Sequence, residues 1–185
     1  GLNLLTKGID RPLVIADLGC GGGEMLKLVA QWAKRKGIEV ELIGFDANPH
    51  IIAYAKDHCS SFKNIHFEVE DIFGSSFRKR TFDVILCTLF THHFKEDQLV
   101  DIFKQFKKQA EIGVVINDLH RHWFAYYSIK LLTRLFSKSD MVKNDGPLSV
   151  KRAFIRPELQ ALLASADIEA KHLSWQWAFR WQLVF

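Results

Sequence analysis

Short apolar runs alternate with longer stretches of helical period along the first two thirds of the 185-residue chain. The runs are bounded by Gly, Asp or Asn, and this alternation is typical of a parallel sheet whose strands are joined by crossover helices. We expect strands at Leu13 to Asp17, Val40 to Asp46, Ile65 to Val69, Phe82 to Thr88 and Gly113 to Asp118. We expect helices between them at Glu24 to Lys36, Pro49 to His58 and Glu96 to Ala110.

The pattern changes after the fifth predicted strand. We expect a long aromatic amphipathic helix at 119–137, a polar loop at 138–153, a helix at 157–166 and an antiparallel hairpin of strands at 168–175 and 178–185. The chain is therefore predicted to be one α/β domain with a Rossmann-like, doubly wound sheet of seven strands, mostly parallel. Its parts are a core (12–118), a helical insertion or lid (119–167) and a C-terminal hairpin (168–185).

Composition narrows the class of protein. Hydrophobic residues make up 48% of the chain, and Gly and Pro together fill only 15 positions, which argues against a disordered or fibrous protein. No apolar run is long enough for a membrane span, and the N-terminus does not resemble a signal peptide. Because Cys20, Cys59 and Cys87 cannot form a closed disulfide set and lack metal-site spacing, we expect a cytoplasmic location and no metal.

The net charge of +4 is unevenly distributed. Eight Lys or Arg and only two acids fall within residues 119–156, so this segment carries +6 and the rest of the chain −2. A nucleic-acid-binding protein would spread such a surplus along a groove or face. Because one continuous segment holds it here, interleaved with aromatic residues, we expect a local role and no nucleic-acid partner.

A glycine-rich turn follows the first predicted strand. Residues 17–24 read Asp-Leu-Gly-Cys-Gly-Gly-Gly-Glu, which allows a tight turn and close approach of a ligand at a helix N-terminus. The dinucleotide fingerprint requires a Gly where Glu24 stands, and Asp17 would repel a diphosphate. A ligand with positive charge at that end, such as S-adenosylmethionine, meets the condition.

Acids also end the next two predicted strands. Asp46 closes the second strand, where a carboxylate can accept hydrogen bonds from both ribose hydroxyls. Asp71 follows the third strand, where it can accept from an adenine amino group while Ile72 covers the ring. Each acid alone is as well explained by helix capping. Three acids at successive strand ends beside the glycine turn favour a nucleoside site.

These motifs, in this order, resemble those of class I S-adenosylmethionine-dependent methyltransferases. The resemblance rests on residues 14–23, on Phe45-Asp46 and Asp71-Ile72, and on the strand that begins at Phe82. It implies methyl transfer, with Asp17, Gly19 and Gly21 at the methionine portion, Asp46 at the ribose, and Asp71 and Ile72 at the adenine. The full set of residues that it leads us to expect around the cofactor is Asp17, Gly19, Cys20, Gly21, Asp46, Ala47, Asp71, Ile72, Thr88 and Leu89.

Two further resemblances narrow the family. Residues 89–94, Leu-Phe-Thr-His-His-Phe, are similar to a turn of small-molecule methyltransferases of the quinone-biosynthesis type. Residues 117–154 and the stretch Phe179-Arg180-Trp181 resemble bacterial methyltransferases encoded beside type III polyketide synthases. They imply a small phenolic or related acceptor. Those families usually carry a longer N-terminal leader over the cofactor, so we expect weaker cofactor binding if such a leader has been removed here.

Four of the eight histidines follow neighbouring predicted strands. His92 and His93 come after the fourth strand, and His120 and His122 after the fifth. Methylation of a hydroxyl needs a group that removes its proton, and histidine titrates near neutral pH. His93 and His120 are the first candidates for this group, and His92 is a further candidate. We expect Asp118 to fix a histidine tautomer or to bind substrate. Replacing His93 and His120 together by Ala should abolish turnover and leave cofactor binding intact.

Alternatives stay open at this point. A nicotinamide-dependent oxidoreductase would share the sheet and Asp46, although Asp17 and Glu24 oppose it. An RNA methyltransferase and a non-catalytic S-adenosylmethionine-binding module are further alternatives, because cofactor motifs do not prove turnover on a small molecule. The basic aromatic segment is open to three interpretations: ordinary core contact with a solvated face, a lid over an apolar acceptor pocket, or peripheral contact with an anionic membrane.

Overall fold

The computed structural model describes residues 1–185 as one seven-stranded sheet with helices on both faces. The strands are β1 (Leu13–Leu18), β2 (Val40–Asp46), β3 (Ile65–Val69), β4 (Phe82–Thr88), β5 (Ala110–Leu119), β6 (His172–Gln176) and β7 (Arg180–Val184). The helices are α1 (Leu2–Leu5), α2 (Glu24–Lys36), α3 (Pro49–His58), α4 (Glu96–Gln109), α5 (Trp123–Phe136), α6 (Asp140–Arg152) and α7 (Arg156–Ser165). Two short 3₁₀ helices, Phe77–Lys79 and Thr91–His93, complete the elements.

The strand order is β3-β2-β1-β4-β5-β7-β6. Strands β1 to β5 are parallel, β7 runs antiparallel to β5, and β6 pairs antiparallel with β7. The predicted doubly wound sheet with an antiparallel C-terminal hairpin is confirmed. Because the order reverses between β1 and β4, the carboxyl ends of these strands form the crevice in which such sheets bind ligands.

Two apolar layers hold the helices to the sheet. Leu26 and Val29 of α2 and Ile52 of α3 pack on one face of the sheet. Phe103 and Phe106 of α4 pack on the other face, next to the buried side chains of α7. Alternate strand residues serve the two layers, since successive side chains of a strand point to opposite faces. The sheet is thus rigidly held, and its carboxyl edge is a fixed platform.

The predicted polar loop at 138–153 is wrong, because these residues form helix α6. Ser139 caps the helix by accepting a hydrogen bond from the Val142 N–H, and the helix continues through the buried Pro147. Gly146 lies where an added Cβ would be 3.2 Å from Ile129 of α5, so the small residue allows the two helices to pack closely. Packing between helices therefore outweighs the local turn preference of Asp-Gly-Pro.

Strands β6 and β5 also begin at other residues than the sequence predicts. Strand β6 begins at His172 instead of residue 168, because the Ile168 N–H donates to the Leu163 carbonyl and closes the end of α7. Strand β5 begins at Ala110, directly after α4, and not at Gly113. None of the helices combines the length and hydrophobicity that a transmembrane span requires.

Candidate functional site

A cavity of about 190 Å³ lies at the carboxyl ends of β1, β2 and β3. It brings together five of the residues expected around a nucleoside, and aromatic rings close its other sides. Its lining consists of Gly19, Phe45, Asp46, Ala47, Glu70, Asp71, Ile72, Phe73, Phe90 and Phe94. Carboxylates alternate with apolar surface here, which suits a ring system with hydroxyl and amino donors. Four other expected cofactor residues do not line this cavity: Cys20, Gly21, Thr88 and Leu89.

The glycine turn needs glycine for two separate reasons. Gly19, Gly21 and Gly23 have φ angles of 69°, 52° and 83°, in the left-handed region that other residues rarely adopt. In addition, a Cβ at Gly19 would collide with the ring of Phe90, whereas the space around Gly21 is open. The turn therefore brings bare backbone against the nucleoside cavity.

Asp46 fastens this turn to the second strand. Its Oδ2 accepts a hydrogen bond from the Gly21 N–H at 3.4 Å, and its Oδ1 accepts from the Asn48 N–H at 2.9 Å. Asp71 makes the equivalent local contact, accepting from the Phe73 N–H at 3.0 Å. Both carboxylates retain oxygen lone pairs toward the cavity for a ligand's hydroxyl and amino groups.

Two acceptor oxygens at this edge lack a donor. Asp17 Oδ1 and Asn117 Oδ1 are the only buried side-chain N or O atoms without a hydrogen-bond partner. Ile15 and Val115, two residues earlier in β1 and β5, pack beside α2, so the orphaned oxygens face that same side of the sheet. Because buried acceptors are costly when unpaired, this edge suits a ligand that brings N–H groups and positive charge.

The ionisation of Asp17 reflects that missing partner. The side chain is almost fully buried, and burial raises its pKa to about 7. A nearby cation would favour the ionised form and lower this pKa again. The ionisation of Asp17 would therefore depend on whether a positively charged ligand lies beside it.

A second cavity, of about 470 Å³, lies on the other side of the β4 end. The three candidate histidines, His92, His93 and His120, meet there with Leu89, which was expected near the cofactor. Helices α5 and α6 contribute Ala125, Ser128, Ile129, Leu132, Gly146, Ser149 and Val150, and the remaining lining residues are Leu119, Ala178, Phe179 and Arg180. The cavity thus forms where the insertion and the hairpin tip close over the sheet edge, and we call it the acceptor cavity.

His92 and Asp118 form a buried pair beside the acceptor cavity. His92 Nδ1 lies 2.7 Å from Asp118 Oδ1, and Asp118 also accepts from the Thr91 hydroxyl and from the His92 and Leu119 N–H groups. Burial alone would raise the pKa of Asp118, but the hydrogen bonds and charge of His92 hold it below its usual value. An ionised Asp118 fixes the proton of His92 on Nδ1 and leaves Nε2 as an acceptor.

The other two candidate histidines differ in their tautomer constraints. His120 Nδ1 accepts a hydrogen bond from the Trp175 indole N–H at 3.2 Å, so a neutral His120 carries its proton on Nε2. His93 makes no side-chain hydrogen bond, and its ring lies against that of His92 at an interplanar angle of 35°, with ring centroids 4.2 Å apart. Burial lowers the pKa of both side chains, helped by His92 at His93 and by His122 at His120, which favours the neutral form of each ring.

Backbone strain concentrates around the acceptor cavity. Only four residues other than glycine have positive φ, and three of them, Leu89, Ala178 and Phe179, line this cavity. Such conformations cost about 1–2 kcal/mol each and persist where the surroundings enforce them. At Leu89 the strain lets one side chain face the acceptor cavity and the next, Phe90, the nucleoside cavity. The sequence predicted the hairpin, but it did not predict that the tip of the hairpin lines this cavity.

Two of the expected cofactor residues, Cys20 and Thr88, line neither the nucleoside cavity nor the acceptor cavity. The Cys20 N–H donates to the Phe45 carbonyl, which folds the turn onto β2, while burial raises the pKa of the Cys20 thiol. Thr88 pairs with Asn117 across β4 and β5 and lines a separate cavity on the α2 side of the sheet. No group of three or more His, Cys, Asp or Glu side chains is placed to hold a metal ion.

Comparison with known proteins finds one matching family and many solved structures with the same fold. Residues 15–112, just over half of the chain, match the family described as "Methyltransferase domain". No curated protein matches the sequence.

Solved structures of methyltransferases share the architecture. An S-adenosylmethionine-dependent methyltransferase from Aquifex aeolicus aligns with a TM-score of 0.70 and 15% identity, over 99% of this chain and 85% of that one. Magnesium protoporphyrin IX methyltransferase from Synechocystis, with bound S-adenosylhomocysteine, gives 0.63 and 14%, over 98% and 76%. A plantazolicin methyltransferase in complex with S-adenosylhomocysteine gives 0.64 and 24%, over 88% and 57%. At these identities the likeness establishes the fold.

Proposed function

The chain belongs to the methyltransferase domain family, and we propose that it transfers the methyl group of S-adenosylmethionine to a hydroxyl oxygen of a small, largely apolar acceptor. The observation that carries this proposal is the pair of cavities on either side of the β4 end. One suits a nucleoside, and the other offers a histidine whose tautomer is fixed for proton removal. A phenol or quinol is the acceptor class we favour.

The residues at the glycine turn fit this cofactor. The nucleoside cavity would take its adenosine, with Asp46 accepting from the ribose hydroxyls and Asp71 from the adenine amino group. Asp17, an orphaned carboxylate of raised pKa, would hold the positively charged amino acid end. When bound, the cofactor supplies an electrophilic methyl group on a sulfonium. The chain's task is then to align an acceptor oxygen and to take its proton.

His92 is the group we assign to proton removal. Its Nδ1–H is held by Asp118, so Nε2 has a free lone pair on a ring that lines the acceptor cavity. An acceptor hydroxyl would give its proton to Nε2 as its oxygen took the methyl group from the sulfonium, whose sulfur would leave as a neutral thioether. The resulting imidazolium is stabilised by the ionised Asp118 and returns its proton to solvent.

His120 and His93 serve different purposes in this arrangement. A neutral His120 has its proton on Nε2, so it can donate a hydrogen bond to an acceptor oxygen but cannot take its proton. We assign it to orienting the acceptor. His93 has no fixed tautomer and lines the same cavity, so it is the alternative base. This ranking replaces the equal expectation for His93 and His120 drawn from sequence.

The lining of the acceptor cavity supports a small and mainly apolar acceptor. Eight of its fifteen residues are hydrophobic, and its volume of about 470 Å³ is in the range typical for sites of small organic ligands. The related structures are named for a porphyrin and for plantazolicin, so their names do not choose an acceptor. A cytoplasmic location and the absence of a nucleic-acid partner remain parts of the proposal.

The experiment is a screen of phenols and quinols with S-adenosylmethionine, read by S-adenosylhomocysteine formation and by product mass. We expect at least one acceptor to gain one methyl group on oxygen, and we expect His92→Ala to lower the rate by about 10²- to 10⁴-fold. An inactive chain that binds S-adenosylhomocysteine across a broad screen would contradict catalysis and favour a binding module. Methylation on carbon or nitrogen would contradict the assignment of the acceptor atom.

A further inference from the structure

Helix α5 presents an unusual outward face. Trp123, Tyr127, Leu131 and Leu135 recur every fourth residue on one side of the helix, and they are 69%, 61%, 59% and 66% exposed. The opposite side, through Ala125 and Thr133, is the buried one, and the helix packs mainly on α6. An amphipathic surface helix normally turns its apolar face inward. Here apolar side chains occupy both faces, and we call the outer four the apolar stripe.

The apolar stripe continues onto the tip of the hairpin. Phe124, beside Trp123, lies 5.9 Å from Phe179 between ring centroids, and Phe179 lies 6.1 Å from Trp175. Trp177, at the tip itself, is 87% exposed. Apolar surface therefore extends from α5 to the hairpin as one patch. Patches of this kind on a monomer mark a site of interaction.

Cations border the apolar stripe on one side. Lys130 and Arg134 stand on the edge of α5 that faces α6, and Lys143 and Lys151 of α6 line the same groove of about 540 Å³. The one acid in the groove, Asp140, is paired with Lys143. The segment 119–156 as a whole carries +6. The neighbourhood of the stripe is thus strongly positive.

The other side of the apolar stripe leads to the acceptor cavity. Ala125, Ser128, Ile129 and Leu132 form the neighbouring face of α5, and all four line that cavity. Leu132 is half exposed, so it belongs both to the cavity wall and to the outer surface. An apolar molecule held against the stripe would have an apolar route into the cavity.

We infer that the apolar stripe and the hairpin tip dock on the surface of an anionic lipid bilayer, from which an apolar acceptor enters the cavity. Trp and Tyr favour the membrane–water interface, and a border of Lys and Arg is attracted to anionic lipid. A second copy of the chain is a poorer occupant, because a symmetric dimer would bring the same positive patch against itself. The entry of the acceptor rests on the proposed function, whereas the docking rests on the surface alone.

The test is co-sedimentation of the protein with vesicles of phosphatidylcholine and phosphatidylglycerol in a two-to-one ratio, against vesicles of phosphatidylcholine alone. We expect binding to the anionic vesicles only, and its loss at about 1 M salt, where the screening length is about 3 Å. The variant Trp123→Gln/Leu131→Gln/Leu135→Gln should fall to the background of a vesicle-free tube. The variant Lys130→Gln/Arg134→Gln should lose about thirtyfold in partitioning, or about fivefold per cation.

Matched substitutions on α2 control for general effects of polarity and charge. Leu28→Gln removes an equally exposed Leu, and Lys34→Gln/Lys36→Gln removes two exposed cations, so both should leave vesicle binding unchanged. Retained binding of S-adenosylhomocysteine by all variants would show that the fold is intact.

Two outcomes would overturn the inference. Wild-type protein that stays in the supernatant with anionic vesicles would remove membrane docking. A stripe variant that changes only the oligomeric state in sedimentation velocity would assign the stripe to a second copy of the chain. Neither readout depends on methyl transfer. Failure of docking is therefore distinct from failure of the proposed function, which the acceptor screen measures.

Discussion

The cofactor-binding part of the chain and the insertion after β5 differ in how their functional side chains are held. In the first, glycines and carboxylates at the ends of parallel strands are fixed by backbone hydrogen bonds over a buried core. In the second, two helices pack mainly on each other and leave much apolar and cationic surface open to solvent. The difference is that the polar groups of the first part are fixed over a core, whereas the insertion keeps a large exposed surface.

These two parts meet at the acceptor cavity. Among the substitutions there, we expect a change at His92 to have the largest effect on catalysis. Asp118 fixes the tautomer of His92 so that Nε2 can take a proton, and replacing His92 by Ala removes this ring. We expect kcat to fall by about 10²- to 10⁴-fold, while the Kd for S-adenosylhomocysteine stays unchanged. Steady-state kinetics and calorimetry measure the two values. A larger loss in His93→Ala would transfer the role to His93.

Asp17 tests the cofactor-binding part alone. The Asp17→Asn variant leaves the shape of the site but removes the charge that would pair with the ligand's ammonium group. We expect affinity for S-adenosylmethionine to fall about a hundredfold, in the range for breaking a buried charge pair. Equal affinity of the variant and the wild type in calorimetry would exclude Asp17 as a partner of the ligand.

The same substitution should stabilise the ligand-free protein. Because burial raises the pKa of Asp17 to about 7, the folded chain keeps this carboxyl neutral up to about pH 7, whereas the unfolded chain ionises it at lower pH. The free energy of unfolding therefore falls as pH rises from the unfolded pKa to about 7, and it levels off above that. At pH 8 the neutral Asn should therefore raise the free energy of unfolding by about 1–4 kcal/mol. Urea unfolding at pH 5 and pH 8 would reveal it, since the gain should shrink at the lower pH.

Cofactor affinity should also depend on pH in a defined direction. A cationic ligand binds the ionised form of Asp17, which is the minor form below pH 7 and the major form above it. We expect binding about tenfold weaker at pH 6 than at pH 8, and no such slope in Asp17→Asn. A flat profile in the wild type would contradict the account.

Two positions in the glycine turn give a matched pair of substitutions whose expected effect is on stability. Gly19→Ala meets both a positive φ and the ring of Phe90, so it should cost about 2–4 kcal/mol of stability. Gly21→Ala meets only the positive φ, because the surrounding space is open, and should cost about 1 kcal/mol. Thermal unfolding measures both, and equal costs would mean that the contact with Phe90 yields easily.

The same division explains how far the sequence could predict this molecule. Strands β2, β3 and β4 and helices α2 and α3 begin and end where periodicity placed them, because buried strands and amphipathic helices leave a clear local pattern. Helix α6 was missed, because Asp-Gly-Pro signals a turn and only packing on α5 makes Gly146 favourable there.

The roles of the histidines lay beyond the sequence for a related reason. All three candidate histidines follow strand ends, and nothing local separates them. Their roles depend on partners far along the chain: Asp118 for His92, 26 residues away, and Trp175 for His120, 55 residues away. The pattern also predicted that α5 is amphipathic, but the outward direction of the apolar stripe appeared only in the structure.

A crystal structure with S-adenosylhomocysteine would test the central claim most directly. The account predicts adenosine between Asp46 and Ile72, the amino group within hydrogen-bonding distance of Asp17, and the sulfur beside Leu89, open to the cavity that His92 lines. A nucleoside bound elsewhere, or a sulfur that faces away from that cavity, would contradict it.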